Sequence, residues 1–413
     1  MHVYFKSIAL ENVRCFGKKQ TIDFTDKDGK PSMWNLILGE NGVGKTTVLK
    51  GILSSWDQGE GQVKNSGANL NEVYFMRTNA TASSIENELY IDNEDRNTSL
   101  HFIAVNVRGI LATPRFYSTN LKKNDITLFA YGASRRIGDT GITEEQTSTI
   151  STLLDENASL INAEEWLAQS EYLSLKDKTQ INLFNRVKTL LLRLFEGEIS
   201  DIKIETNAQA NKKISVLFQT HYGWVPLHQL SLGYKTMIGW MVDFARGLFD
   251  RYPDSTNPLA EPAVCLVDEI DLHLHPHFQR NLMRFLSDIF PKTQFIVTAH
   301  SPLVVQAAAD VDANIILLER KGDEVHVNNN PQVVHSWRVD QILTSDLFGL
   351  DTALSPEADE KMERRRALLR KEKRSKQEEA ELVELEADFD IIPPEESALG
   401  QRMVEHLQRL AAQ

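Results

Sequence analysis

Apolar and polar positions alternate through the opening stretch: Phe5, Ile8, Leu10 and Val13, then Ile22 and Phe24 beyond a polar turn at 17–20. That alternation predicts strands. Residues 34–38 form a short apolar run that ends in a glycine-rich turn, and residues 46–53 read as a helix. Residues 57–98 are rich in Asn, Ser, Gly and acids, with a strand-like piece at 73–76. Between 144 and 196 the period lengthens. Ile181, Phe184, Val187, Leu191 and Leu194 recur at three- and four-residue spacing, the stripe of a helix packed on a core. Strands are expected at 127–131, 201–205 and 213–219, followed by 224–227 leading into 230–234. The apolar strand 263–267 ends at Asp268 and Glu269; a helix at 278–290 and a strand at 294–298 come next. Strand, glycine-rich loop and helix, then further strand–helix units, predict an α/β fold with a mixed, largely parallel sheet.

The tail has a different character. Residues 361–376 carry Arg364, Arg365, Arg366, Arg370, Lys371, Lys373 and Arg374, whereas the charges from 377 to 397 are all acidic. Two short helices are expected, one basic and one acidic, with Ser375 and Glu378 as a capping box and a stop at Pro393–Pro394. The expected division is 1–135 for the first part of an α/β head, 136–228 for a helical insert lobe, 229–350 for the second part of the head, and 351–413 for the charged helical tail.

Composition narrows the class. The 413 residues carry a net charge of −13, so nucleic acid would have to be met by local basic patches or by a partner. Cys15 and Cys265 are the two cysteines, which fits a reducing compartment. The first residues lack the apolar core of a secretory signal, and the cytoplasm is the expected location.

The chemistry sits in four places. Gly39-Glu-Asn41-Gly42-Val-Gly44-Lys45-Thr46 matches G-x-x-x-x-G-K-[ST] between a strand and a helix, the context of a phosphate loop. Its glycines let backbone N–H groups turn around phosphate oxygens, and the helix N-terminus adds partial positive charge. ATP is therefore expected on Gly39, Asn41, Gly42, Gly44, Lys45, Thr46 and Thr47, with Lys45 bridging the β- and γ-phosphates. The hydroxyl of Thr46 and the carboxylate of Asp268 are the expected Mg2+ ligands. Glu269 is placed to orient or deprotonate the attacking water. Thr298-Ala-His300-Ser301-Pro302 follows the next strand, and His300 is expected on the γ-phosphate. The alternating His273, His275 and His277 have a spacing that also suits zinc. Asp310 and Asp312 precede a strand at 315–319 and are read as structural, and no metal-nuclease constellation is evident.

Leu230-Ser231-Leu232-Gly233-Tyr234 resembles the Leu-Ser-Gly-Gly-Gln signature of ABC ATPases, with Leu and Tyr replacing two of its positions. With the other motifs in the same order, the chain resembles the RecF/SMC-like branch of ABC ATPases over about residues 1–350. The resemblance implies that Ser231 and Gly233 meet the γ-phosphate held by a second subunit, and that His273–His277 lie on a turn at the dimer seam. Residues 130–136, Ala-Tyr-Gly-Ala-Ser-Arg135-Arg136, and residues 342–350 resemble PtuA-type ATPases of Septu and retron antiphage systems. That narrower resemblance implies a homodimer or higher homo-oligomer across the ATP and an HNH nuclease as partner. Arg135 and Arg136 read either as a loop coupling nucleotide to the second lobe or as solvated surface. A RecF-like DNA-repair ATPase and an ABC transporter subunit are the alternatives; the tail is expected to dock another subunit or partner.

Overall fold

The computed structural model describes residues 2–54, 82–92, 98–107, 110–116, 126–138, 149–176, 183–207, 213–331, 337–371 and 374–389. The strand-like piece at 73–76, Ile181 and the prolines at 393–394 lie outside them. Two compact units are present, Met1–Ser336 and Trp337–Gln413.

In the first unit, β1 (His2–Glu11) and β2 (Gln20–Asp23) are followed by β3 (Trp34–Gly39) and α1 (Lys45–Ser54). Then come β4 (Ala82–Asp92), β5 (Thr98–Val107), β6 (Ile110–Phe116), β7 (Leu128–Tyr131) and α2 (Ser151–Leu154). Helices α3 (Ala163–Lys176) and α4 (Leu183–Leu194) precede β8 (Ile199–Asn207), β9 (Lys213–Thr220) and β10 (Gly223–Pro226). The chain continues through α5 (Leu232–Arg251), β11 (Ala263–Val267), α6 (Pro276–Ile289), β12 (Thr293–Thr298) and α7 (Pro302–Ala309), and then β13 (Asn314–Lys321) and β14 (Glu324–Asn328).

A six-stranded sheet runs β14-β13-β3-β12-β11-β7. Its five inner pairings are parallel except β13–β14, which is antiparallel. Every residue of β11, β12 and β7 is buried, as parallel strands covered on both faces must be. A second sheet, β2-β1-β4-β5-β6, is antiparallel, as is a third, β10-β9-β8.

Helix α1 lies between the first two sheets. Val48, Leu49, Ile52 and Leu53 share one core with Ile8, Leu10 and Ile85 on one side and Ile37, Leu266 and Ile296 on the other. The helix crosses the antiparallel sheet at Gly51, where a Cβ would already sit 3.0 Å from Ile8 Cδ1. The two sheets are also joined by Gln294 of β12. Its amide bonds both the N–H and the carbonyl of Phe5, at 2.8 Å each, beside the bulge in β1. The opposite face of the parallel sheet is covered by α5. Phe244 packs edge-on to Phe129 at 4.9 Å and tilts against Phe290 at 4.6 Å. The apolar stripe expected at 181–194 is the buried face of α4, Phe184, Val187, Leu190, Leu191 and Leu194.

The second unit, described by itself, holds α8 (Val339–Leu343), α9 (Pro356–Leu369) and α10 (Lys376–Phe389). Helices α9 and α10 fold back on each other around Leu368, Leu382 and Leu385. Arg364 forks onto Glu381 at 2.7 and 2.8 Å, and the Ser375–Glu378 capping box closes at 2.9 and 3.3 Å.

Candidate functional site

The turn between β3 and α1 is built from residues that only glycine replaces without strain. Gly39, Gly42 and Gly44 have φ of 142°, 81° and 93°. At Gly44 a Cβ would lie 2.5 Å from Cys15 Sγ and 2.9 Å from Phe16 Cε2, because the turn joining β1 to β2 presses on the loop. Lys45 Nζ donates to the carbonyls of Gly39 and Glu40 at 2.7 and 2.9 Å. Burial pushes its ammonium below the ordinary value, and the carboxylates of Asp268, Glu269 and Asp271 oppose that shift.

Strand β11 delivers Asp268 and Glu269 to the same end of the sheet, the carboxyl end where open α/β sheets bind ligands. Thr46 Oγ1 donates to Asp268 Oδ2 at 2.7 Å, across 222 residues of chain. Thr298 Oγ1 donates to Asp268 Oδ1 at 2.6 Å and accepts the Glu269 N–H at 2.7 Å. Glu269 holds φ of 48°, in the left-handed region. His300 donates its N–H to Asp271 Oδ2 at 3.0 Å.

These groups surround one cavity of ≈ 320 Å³. Asn41, Gly42, Gly44, Lys45, Thr46, Thr47, Asp268, Glu269 and His300 all line it, and Gly39 lies beside it against Leu318 of β13. Ser231 and Gly233 do not line it. They open α5, where Ser231 is the N-cap residue without a side-chain capping bond and Gly233 touches the carbonyl of His273 so closely that no side chain fits. Tyr234 follows, its ring 4.9 Å from Phe195 and 5.9 Å from Phe278. Burial pushes its phenol up to about 12, and the Glu198 carboxylate adds to the shift.

Two lining residues, Arg14 and Cys15, go beyond the set read from the sequence. The signal was present in the tight turn after β1, where Asn12 and Arg14 both take positive φ, but no motif marks it. Arg135 and Arg136 separate sharply. Arg136 is exposed, whereas Arg135 is 2% exposed and donates to the carbonyls of Asp268 and Glu269 at 3.0 and 2.8 Å. His273 on the turn before α6, His275 at its N-cap and His277 in its first turn all stand exposed, and His275 Nδ1 accepts the His277 N–H. No group of three metal-ligating side chains forms among the described residues. Asp310 caps α7 and Asp312 sits in the turn after it, at φ of 48°.

The hydroxyl of Thr46 and the carboxylate of Asp268 are hard oxygen donors side by side below the glycine cradle, a donor set that suits Mg2+ carried by a nucleotide. The phosphate loop after β3, the acid pair ending β11 and the histidine turn after β12 meet at one end of a largely parallel sheet, the arrangement of a phosphate-loop nucleotide-binding fold. The chain belongs to the family described as AAA domain, putative AbiEii toxin, Type IV TA system, whose pattern matches residues 35–306. It is 27% identical over 390 residues to the Septu protein PtuA of Bacillus mycoides (strain KBAB4), a match covering 93% of this chain and 50% of that protein. Against the Septu protein PtuA of Bacillus thuringiensis it is 26% identical over 337 residues, 78% of this chain and 80% of the relative. The chain thus spans half the length of the first relative. An SMC head bound to the C-winged helix domain of ScpA superposes with a TM-score of 0.48 at 15% identity, covering 79% of this chain and 97% of that one. No helix among the described residues is long and apolar enough to cross a membrane.

Proposed function

We propose that this chain binds and hydrolyses ATP, closes into a dimer around it, and so controls a partner nuclease in bacterial antiphage defence. The observation that carries the reading is the Thr46–Asp268 pair at the floor of the glycine cradle, with Glu269 and His300 on the same cavity. The loop N–H groups and Lys45 bind the β- and γ-phosphates, and Lys45 exchanges its two carbonyl partners for phosphate oxygens. Mg2+, held by Thr46 and Asp268, would supply charge neutralisation of the phosphates. Glu269 accepts a proton from the attacking water or orients it, and His300 contacts the γ-phosphate rim. Asn41 and Thr47 complete the cradle.

Ser231 and Gly233 are presented at a helix start away from the chain's own cavity, which supports their delivery to the γ-phosphate of a second copy. ATP bound only in the closed dimer makes nucleotide an assembly switch by mass action. The likeness to the Septu proteins supports antiphage defence, and the PtuA-type resemblance implies an HNH nuclease as the partner.

Equilibrium ATP binding and sizing of two variants test the reading. Lys45→Ala is expected to lose nucleotide. Glu269→Gln is expected to keep it, to hydrolyse on the order of 100-fold more slowly or worse, and to accumulate as a dimer with ATP. Hydrolysis at the native rate by Glu269→Gln removes that residue from the chemistry, and nucleotide-independent sizing removes the switch.

A further inference from the structure

We infer that Arg135 is a positioning residue for Glu269, a buried clamp that fixes the Asp268–Glu269 turn so that the Glu269 carboxylate faces the nucleotide cavity. The inference rests on the hydrolytic reading above.

Each backbone polar group of the turn has an assigned partner. The Asp268 N–H donates to the carbonyl of Tyr131 at 2.8 Å, and the Glu269 N–H donates to Thr298 Oγ1 at 2.7 Å. The two carbonyls that remain accept from one guanidinium, Asp268 from Nη1 at 3.0 Å and Glu269 from Nη2 at 2.8 Å, and the Glu269 carbonyl also accepts the Leu272 N–H at 3.0 Å. A planar fork of fixed donors spans two consecutive carbonyls; an ammonium on a flexible stem has no such geometry.

The backbone shows what the clamp holds. Glu269 sits at φ of 48° and Arg135 at 36°, two bulky residues in the left-handed region, bonded to each other. Such conformations persist where their surroundings over-determine them, and they cluster at functional sites. An extended residue at 269 would aim its side chain to another side of the strand end. Glu269 lines the cavity from this left-handed turn.

Packing alone does not explain an arginine here. It is 2% exposed, lies 5.5 Å over the ring of Trp240, and its buried Nε has no hydrogen-bond partner among the described residues. An apolar side chain would fill the space without stranding a donor. Burial pushes the guanidinium down to about 10, and the surrounding Asp268, Asp271 and Glu269 counter that effect, so it stays charged at neutral pH. The charge then lies against the backbone of the acidic turn, and Arg135 does not line the cavity.

The test is a double-mutant cycle in the full-length chain between Arg135→Lys and Glu269→Gln, read as single-turnover ATP hydrolysis, with fluorescent ATP binding and thermal denaturation alongside. Arg135→Lys is expected to slow hydrolysis on the order of 100-fold while ATP affinity stays within about threefold. In the Glu269→Gln background the same substitution is expected to add less than about threefold, because its effect passes through Glu269. Arg135→Gln, which keeps one donor group without the charge, serves as a second variant and is expected to behave likewise. Native hydrolysis by Arg135→Lys overturns the inference, as does an equal loss in both backgrounds or a loss of ATP affinity matching the loss of rate. Failure of both variants to fold overturns it too and assigns Arg135 to the core. Glu269→Gln hydrolysing like the native chain is a different result: it sinks the hydrolytic reading itself.

Discussion

Replacing Thr298 by Val isolates the hydroxyl that ties the acidic turn to the neighbouring strand. Thr298 is fully buried, and its one oxygen both donates to Asp268 Oδ1 at 2.6 Å and accepts from the Glu269 N–H at 2.7 Å. Valine has nearly the same shape, so packing changes little while both bonds vanish. Losing a hydrogen bond to a charged group costs about 1.5–3 kcal/mol, and stranding a buried backbone N–H costs about 1–3 kcal/mol more. Asp268 keeps Thr46 on its other oxygen and can turn toward the cavity, so the lower half of the summed range, about 2.5–4 kcal/mol, is expected. The Thr298→Ser control keeps the hydroxyl and deletes one methyl, about 0.8 kcal/mol by burial alone. Urea denaturation followed by tryptophan fluorescence measures both, and hydrolysis should fall for Val far more than for Ser. A valine variant within about 0.5 kcal/mol of native, or no worse than the serine variant, refutes the two-bond account.

Restoring the glutamine of the ABC signature by Tyr234→Gln is expected to destabilise the chain by about 1–3 kcal/mol in urea denaturation, since the ring packs on Phe195 and Phe278. A gain in hydrolysis without loss of stability would show that Tyr234 is a brake rather than a packing residue. In the tail hairpin, the Lys371 ammonium and the Ser375 N–H hold the Glu378 carboxyl at about 2, down from 4.5. A depressed carboxyl contributes stability that is complete above 4.5 and is lost as pH falls through about 2. A carbon-detected NMR titration of the full chain should therefore find Glu378 ionised below the ordinary carboxyl range, with Lys371→Ala moving its midpoint upward; an unmoved midpoint would break the assignment.

The sequence was most legible where a short apolar run meets residues that do one job. Strands β3, β11 and β12 are each buried along their length, and each ends in glycine, an acid pair or the Thr-Ala-His turn, so place and chemistry could be read together. The α4 stripe was legible for the same reason, since helical period and burial coincide. The antiparallel sheet was harder. In β4 the inward series Ile85, Asn87, Leu89 and Ile91 contains a buried asparagine, which breaks the alternation that marks a strand. Arg135 was legible only as a choice between a coupling loop and solvated surface. Whether an arginine is solvated or buried depends on what surrounds it, and the carbonyls that pair with it lie 133 and 134 residues further along the chain. Local pattern carries periodicity and motif spacing; it does not carry which charge a fold encloses.

The same long-range bonding links motifs that look independent along the chain. Asp271 accepts the His300 N–H, while Gln279 donates to the carbonyls of Asp271 and Leu274 and accepts from Ser301 Oγ at 2.6 Å. The turn after β11 and the turn after β12 are thereby bonded at two points, one on each side of His300. Two residues past Asp271, His273 at φ of 63° places its carbonyl against Gly233, so the start of α5 rests on that same turn. Residues 268–273 thus contact both the His300 turn and the seat of Ser231. In the proposed dimer those groups face opposite nucleotides, one on its own subunit and one on the partner. A packed turn with discrete bonds on both sides moves as a unit rather than deforming gradually. Coupling between the two ATP sites of that proposed dimer then needs no long relay: the acidic turn that would hold Mg2+ would itself be the shared element, braced by Arg135 on its two carbonyls.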